Sequence, residues 1–134
     1  MVVPTQERIV IDASSMTALL LDAHAHEHAR VGGTHLLAPS VLPYEVANVL
    51  RRLSEARRIA EPHADQAFDD FTDLAVELWD WSIFAARAWS LKANLSSYDA
   101  SYVALAELTE ATLITRDARL ARAPGTRCRI EVFA

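Results

Sequence analysis

Short apolar runs alternate with amphipathic stretches along this chain. Arg8-Ile9-Val10-Ile11-Asp12 reads as a short buried strand that ends in an acid. A helical repeat carrying Leu19, Leu20 and Ala23 follows from Ser14 to about Arg30, and Gly32-Gly33 breaks it. His35-Leu36-Leu37-Ala38 is a second short strand, closed by Pro39. Ser40 to Arg58 is the clearest helix, because Val46, Val49, Leu50 and Leu53 fall at i, i+3, i+4 and i+7. Pro43 is tolerated there because it lies in the first turn. Glu61-Pro62 opens another helix, to about Leu74, and Ala75 to Trp79 alternates like a strand. Ser82 to Ala93 and Ser96 to Glu110 are helical, the latter with Tyr102, Val103 and Ala106 on one stripe. Thr112 to Thr115 is a strand running into Arg116-Asp117, followed by a short helical turn to Arg122. From Arg127 to Phe133 the chain alternates again, with Cys128, Ile130 and Val132 on one side and Arg129 and Glu131 on the other. Interleaved strands and helices predict a central, mainly parallel sheet with helices on both faces. With neither a linker nor an internal repeat, the expectation is one α/β domain over residues 1–134.

Composition narrows the class of chemistry more than the class of fold. The 134 residues are 51% hydrophobic and 23% charged, enough for a core without staples. Cys128 is the single cysteine, so an internal disulfide and a cysteine-rich metal site are both excluded. Met1 to Arg8 is polar, and no run approaches ~18 apolar residues, so the expectation is a cytoplasmic protein without signal peptide or membrane span. The net charge of −5 lacks the usual footprint of a nucleic-acid binder. Yet every basic residue but Lys92 is an arginine, clustered at Arg51, Arg52, Arg57 and Arg58 and at Arg116, Arg119, Arg122, Arg127 and Arg129. Arginine suits bidentate contact with phosphate or carboxylate, although solvated helix faces explain such clusters equally well. The only glycines, Gly32, Gly33 and Gly125, support neither a GxGxxG turn nor a GxxxxGK loop. GxSxG and HExxH are also absent.

Four acids share a position in this scheme. Asp12 and Asp117 follow apolar strands, Glu45 lies in the first turns of a helix after a strand, and Asp99 lies in the first turn of a helix that leads into one. In a parallel sheet all four positions fall at the strands' carboxyl edge, where open α/β sheets place their ligands. Each has a structural explanation by itself: Asp12 and Asp117 as helix caps, Ser96 with Asp99 as a capping box, Glu45 as a complement to a helix dipole. Together, converging carboxylates repel one another in a low dielectric, and a hard divalent cation such as Mg²⁺ or Mn²⁺ removes the conflict. The chemistry expected is then metal-assisted attack of water on a phosphodiester. Ser14 and Thr115, two residues from Asp12 and Asp117, are auxiliary candidates for orienting water or phosphate.

Four segments in order carry a family resemblance: Ile9-Val10-Ile11-Asp12-Ala13-Ser14, Pro43-Tyr44-Glu45-Val46-Ala47-Asn48-Val49-Leu50, Leu95-Ser96-Ser97-Tyr98-Asp99 through Ala104-Leu105-Ala106, and Leu113-Ile114-Thr115-Arg116-Asp117. Together they resemble the motifs of PIN-domain ribonucleases, specifically the VapC toxins of bacterial toxin–antitoxin pairs. The resemblance implies a three-layer α/β/α fold, Mg²⁺- or Mn²⁺-dependent endoribonuclease activity on RNA, and a homodimer held inactive by a cognate antitoxin. It also implies that Asp12, Glu45, Asp99 and Asp117 are the catalytic set, with Asp12, Asp99 and Asp117 as metal ligands. Members of the wider class often carry a further acid beside the last one. Ala118 and Arg119 stand there instead, which counts against full occupancy of a second metal position.

Other features compete for attention. Asp22-Ala23-His24-Ala25-His26-Glu27-His28 looks like a metal cluster, but on a helix His24 and His28 share a face while His26 points away. An exposed polar helix end is the expectation there. Trp79, Trp81 and Trp89 are expected in core or dimer packing rather than on RNA bases. Two rivals remain for function. A phosphoaspartate phosphatase or receiver wants a lysine at a late strand end, and Lys92 is mid-chain in a helix. A catalytically silent PIN-like interaction module would not need the complete acid set.

Overall fold

A computed structural model describes residues 5–134. The expectation about a signal peptide in Met1 to Arg8 therefore lies in part outside the described residues.

Five strands form one sheet: β1 (Arg8–Ile11), β2 (His35–Pro39), β3 (Val76–Trp79), β4 (Thr112–Thr115) and β5 (Ile130–Val132). Their order is β3-β2-β1-β4-β5, and every neighbouring pair is parallel. Ile9, Val10 and Ile11 of the central strand are fully buried, as expected for a strand covered on both faces. Among the described residues, seven helices connect and cover the strands: α1 (Ala13–Leu21), α2 (Glu27–Val31), α3 (Leu42–Glu55), α4 (Glu61–Asp73), α5 (Trp81–Ser90), α6 (Ser97–Thr109) and α7 (Ala118–Arg122). The connection from β1 to β2 steps one way across the sheet, and that from β3 to β4 steps back. Right-handed crossovers then put their helices on opposite faces. In agreement, α1, α3 and α4 pack together as one group, while α5 and α6 form another. The expected α/β sandwich with a parallel sheet is the fold observed.

The elements differ from the sequence reading in four places. The helix expected from Ser14 to Arg30 is two helices, because Asp22 turns the chain. Its carboxylate accepts the His24 N–H at 2.9 Å, and its carbonyl meets the His28 ring at 2.9 Å. His24 and His28 therefore do not share a helix face. The helix expected from Ser40 to Arg58 stops at Glu55, since Arg57 enters the left-handed region at φ 57°. Burial on α6 is wider than the expected stripe of Tyr102, Val103 and Ala106: Ala100 through Ala106 are all buried, because the helix is wedged between the sheet and α5. Finally, the last strand is confined to Ile130–Val132, and Val132 remains 45% exposed. No helix among the described residues is long and apolar enough to cross a membrane.

Candidate active site

The strand order reverses between β1 and β4, where one connection leads away to β2 and another to β5. Such a switch point leaves a crevice at the carboxyl ends of the strands. Asp12 follows β1 directly, and Asp117 follows β4 by two residues. Glu45 comes from the first turn of α3, just after β2, and Asp99 from the first turn of α6. All four acids named from the sequence are on this edge.

Asp12 is both a helix cap and the most enclosed of the four. Its Oδ1 accepts the Ser15 N–H at 3.0 Å and the Ser14 hydroxyl at 2.6 Å, and its Oδ2 accepts the Thr115 hydroxyl. Ser14 in turn accepts the Arg116 N–H at 2.9 Å, and Thr115 accepts the Asp117 N–H at 3.0 Å. The two hydroxyls thus tie the end of β1 to the end of β4 through one carboxylate. Burial pushes the Asp12 carboxyl above its ordinary range despite these bonds, and the charge of Asp99 adds to the rise.

Glu45 is half-buried, and its Oε1 accepts the Tyr102 hydroxyl at 2.6 Å. Burial raises the Glu45 carboxyl, the tyrosine bond opposes the rise, and the charges of Asp12 and Asp99 reinforce it. Tyr102 is only 2% exposed and is itself pushed up, by burial first and Glu45 second. Asp99 is raised by burial and then by Asp117. Half of the expected capping box is present, the Asp99 N–H donating to Ser96 Oγ at 3.1 Å. Three of the four acids are therefore raised above their ordinary values by burial and by the charge of neighbouring acids.

Asp117 behaves differently. It caps α7 through the Arg119 N–H at 3.0 Å and also accepts the Arg119 guanidinium at 3.1 and 2.9 Å. That pairing holds its carboxyl below the ordinary value. As the side chains stand, no group of three or more His, Cys, Asp or Glu among the described residues is arranged to hold an ion. The donor set nevertheless fits a hard divalent cation: oxygen-only, partly buried, and carrying negative charge whose repulsion a cation relieves.

Two supporting residues were not found from the sequence. Tyr102 orients Glu45 and was read only as part of a stripe. Glu27 lies in what was read as an exposed polar helix end, yet its side chain is 0% exposed and clasps Arg116 at 2.7 and 2.9 Å. Arg116 stands immediately before Asp117, so this ion pair anchors the turn that carries the acid. Position beside Asp117 was the available clue. The histidines around Glu27 are exposed, as expected. Four of the nine clustered arginines are ion-paired: Arg51 with Glu55, Arg116 with Glu27, Arg119 with Asp117 and Arg129 with Glu131.

Comparisons with known proteins agree with this architecture. The family described as PIN domain matches residues 9–125. A protein of Mycobacterium bovis described as VapC ribonuclease Mb0985 is 38% identical over 125 residues, covering 92% of this chain and 97% of that protein. Among solved structures, PAE2754 from Pyrobaculum aerophilum superposes with a TM-score of 0.68 at 24% identity, over 94% of this chain and 84% of that one. VapBC2 from Rickettsia felis, bound to a DNA fragment from its promoter, gives 0.68 at 12% identity, over 95% and 99%.

Proposed function

The chain belongs to the PIN-domain family, and on that premise we propose that it is a Mg²⁺- or Mn²⁺-dependent endoribonuclease, the toxin of a cytoplasmic toxin–antitoxin pair. One observation carries the reading: Asp12, Glu45, Asp99 and Asp117 share the carboxyl edge of the sheet, and three of them are raised by burial and mutual charge. Asp12, Asp99 and Asp117 would hold the ion, and Glu45 would complete the catalytic set. When bound, the ion supplies activation of water and neutralisation of charge at the scissile phosphate.

The chain's own residues do the positioning. Ser14 and Thr115 fix the Asp12 carboxylate and join it to the turn before Asp117. Tyr102 aims Glu45 into the cleft, where its carboxylate is available to accept a proton from attacking water. Glu27 secures Arg116 behind them. The residues 1–134 act as one domain, paired as a homodimer through apolar surface such as Leu78, Trp81, Ile83 and Trp89, all at least 43% exposed. An antitoxin silences the site by placing an arginine among the acids, much as Arg119 forks onto Asp117.

The test is direct. The purified chain, free of antitoxin, is incubated with RNA in Mg²⁺, in Mn²⁺ and in EDTA. Internal cleavage in the metals and none in EDTA is expected. A chain that folds but leaves RNA intact in both metals refutes the enzymatic reading.

A further inference from the structure

Beside the acids lies a groove of about 390 Å³, lined by Ala13, Val41, Tyr44, Glu45, Asn48, Val49, Arg52 and Tyr98. It opens onto the cleft through Glu45 and the first residue of α1, so whatever fills it touches the site. Two of its walls are aromatic rings in water: Tyr44 is 74% exposed and Tyr98 is 59% exposed. Each immediately precedes a site acid, Tyr44 before Glu45 and Tyr98 before Asp99. Tyr44, Asn48 and Arg52 lie four residues apart on α3 and so form one face leading away from the acids. Arg52 has no carboxylate partner among the described ion pairs, whereas its neighbour Arg51 is held by Glu55 at 3.1 Å. An unpaired guanidinium, a carboxamide and two bare aromatic faces are the parts that recognise an unpaired nucleotide.

We propose that this groove is the subsite for the nucleotide next to the scissile phosphate in single-stranded RNA. Its base stacks on Tyr44 and Tyr98, Asn48 meets the base edge, and Arg52 takes the adjoining phosphate. The proposal rests on the endoribonuclease reading and adds the residues of this chain that recognise the nucleotide beside the cut. Arg52 offsets the repulsion that phosphate meets from Glu45, and the rings supply attraction that does not depend on charge. A base paired inside a duplex has no free face for either tyrosine, so duplex RNA is excluded.

The experiment uses the full chain, a short unstructured RNA of mixed sequence that the chain cuts, and the same strand annealed to its complement. Tyr44→Ala and Tyr98→Ala should each raise KM about 5- to 100-fold with kcat within about twofold, as expected for lost stacking that is equal in ground and transition states. Tyr44→Phe should keep KM close to that of the parent. Arg52→Ala should reduce the salt slope of binding by roughly 0.7, the value for one lost single-strand phosphate contact. An abasic nucleotide walked along the strand should weaken the parent at one position and leave Tyr44→Ala indifferent there. These side chains are exposed, so melting temperatures should not move. If the parent cleaves the strand but Tyr44→Ala and Arg52→Ala keep its KM and salt slope, the subsite is wrong and the nuclease reading survives. If the parent cuts duplex as well as single strand, the stacking proposal is overturned. If the parent cuts no RNA, both fall together.

Discussion

Replacing Glu27 with glutamine should be one of the most damaging single-atom changes in the molecule, although Glu27 touches no site acid. Its carboxylate is wholly enclosed and gives both oxygens to Arg116 Nε and Nη2 at 2.7 and 2.9 Å. The amide presents an NH₂ where the guanidinium presents its own donor, so one hydrogen bond is lost and two donors face each other. Removing one partner of a buried pair costs about 3–5 kcal/mol when the other charge stays buried and unpaired. Arg116 is 30% exposed on its side chain and recovers some water, which brings the expected loss to about 2–3 kcal/mol. At about 4 °C per kcal/mol for a chain of this length, the melting temperature should fall by roughly 8–12 °C.

Calorimetry near neutral pH measures this, and the pair can be tested against its own replacement. Glu27→Leu combined with Arg116→Met should regain much of the loss, because no charge is then stranded. Burial raises the Glu27 carboxyl, but the Arg116 hydrogen bonds outweigh it and leave the group below its ordinary value. A depressed carboxyl contributes stability that is present above the unfolded value and lost as pH falls through the folded one. The gap between parent and Glu27→Gln should accordingly close only as pH falls through this depressed value. Equal melting temperatures at neutral pH would refute the assignment of Glu27 as the anchor of the Asp117 turn.

The site acids make the opposite prediction. Asp12→Asn and Asp99→Asn should keep the fold, since repulsion falls, but should lower RNA cleavage by at least about 100-fold, as loss of several kcal/mol of transition-state stabilisation requires. Asp117→Asn and Glu45→Gln should follow, while His24→Ala with His28→Ala should change nothing; melting curves run beside the cleavage assay separate the two effects. Because burial and mutual charge raise Asp12, Glu45 and Asp99 in the folded state, they favour folding with their protons on, and that contribution is lost as pH rises through the raised values. Mg²⁺ added at neutral pH should therefore raise the melting temperature of the parent, by about 2.7 kcal/mol of stability at a hundred times its Kd, and should do so less in Asp12→Asn. Arg119→Ala should tighten Mg²⁺ binding measured by titration calorimetry, because it frees Asp117 from a competing cation; weaker binding would show instead that Arg119 orders the acid for the ion.

Much of the fold was legible because the strands are short, apolar and punctuated. Ile9 to Ile11, Leu36 to Ala38 and Leu113 to Thr115 are buried along their whole length, so each stands out against its polar flanks. The acids were legible for a topological reason: in an all-parallel sheet, every strand end and every following helix start lies on the same edge. What escaped was tertiary. No local pattern distinguishes Glu27 from the exposed histidines on either side, because its burial is created by Arg116, 89 positions away. The break at Asp22 was missed because a turn held by one carboxylate and one carbonyl leaves the apolar spacing of its flanks undisturbed. Tyr102 was placed correctly on α6, but its partner Glu45 is 57 positions away.

The same side chains that build the switch point also bring its charges together. Asp12 is the clearest case, since its oxygens start α1 and join β1 to β4 while its charge is disfavoured by burial. A helix cap of that kind does not by itself require an acid, because asparagine caps about as well. Glu45 and Asp99 cap nothing through their side chains among the described hydrogen bonds, yet they bring two more charges to the same cleft. A fold selected only for stability would neutralise such a cluster, and the amides are one atom-type away. That the repulsion is kept, and braced from behind by Tyr102, Thr115 and the Glu27–Arg116 pair, is what the cation site proposed above requires. It follows that stability and cleavage should move in opposite directions across the amide variants and together across the bracing ones. Glu27→Gln and Tyr102→Phe lose activity by loosening the site, while Asp99→Asn and Glu45→Gln lose it without loosening anything.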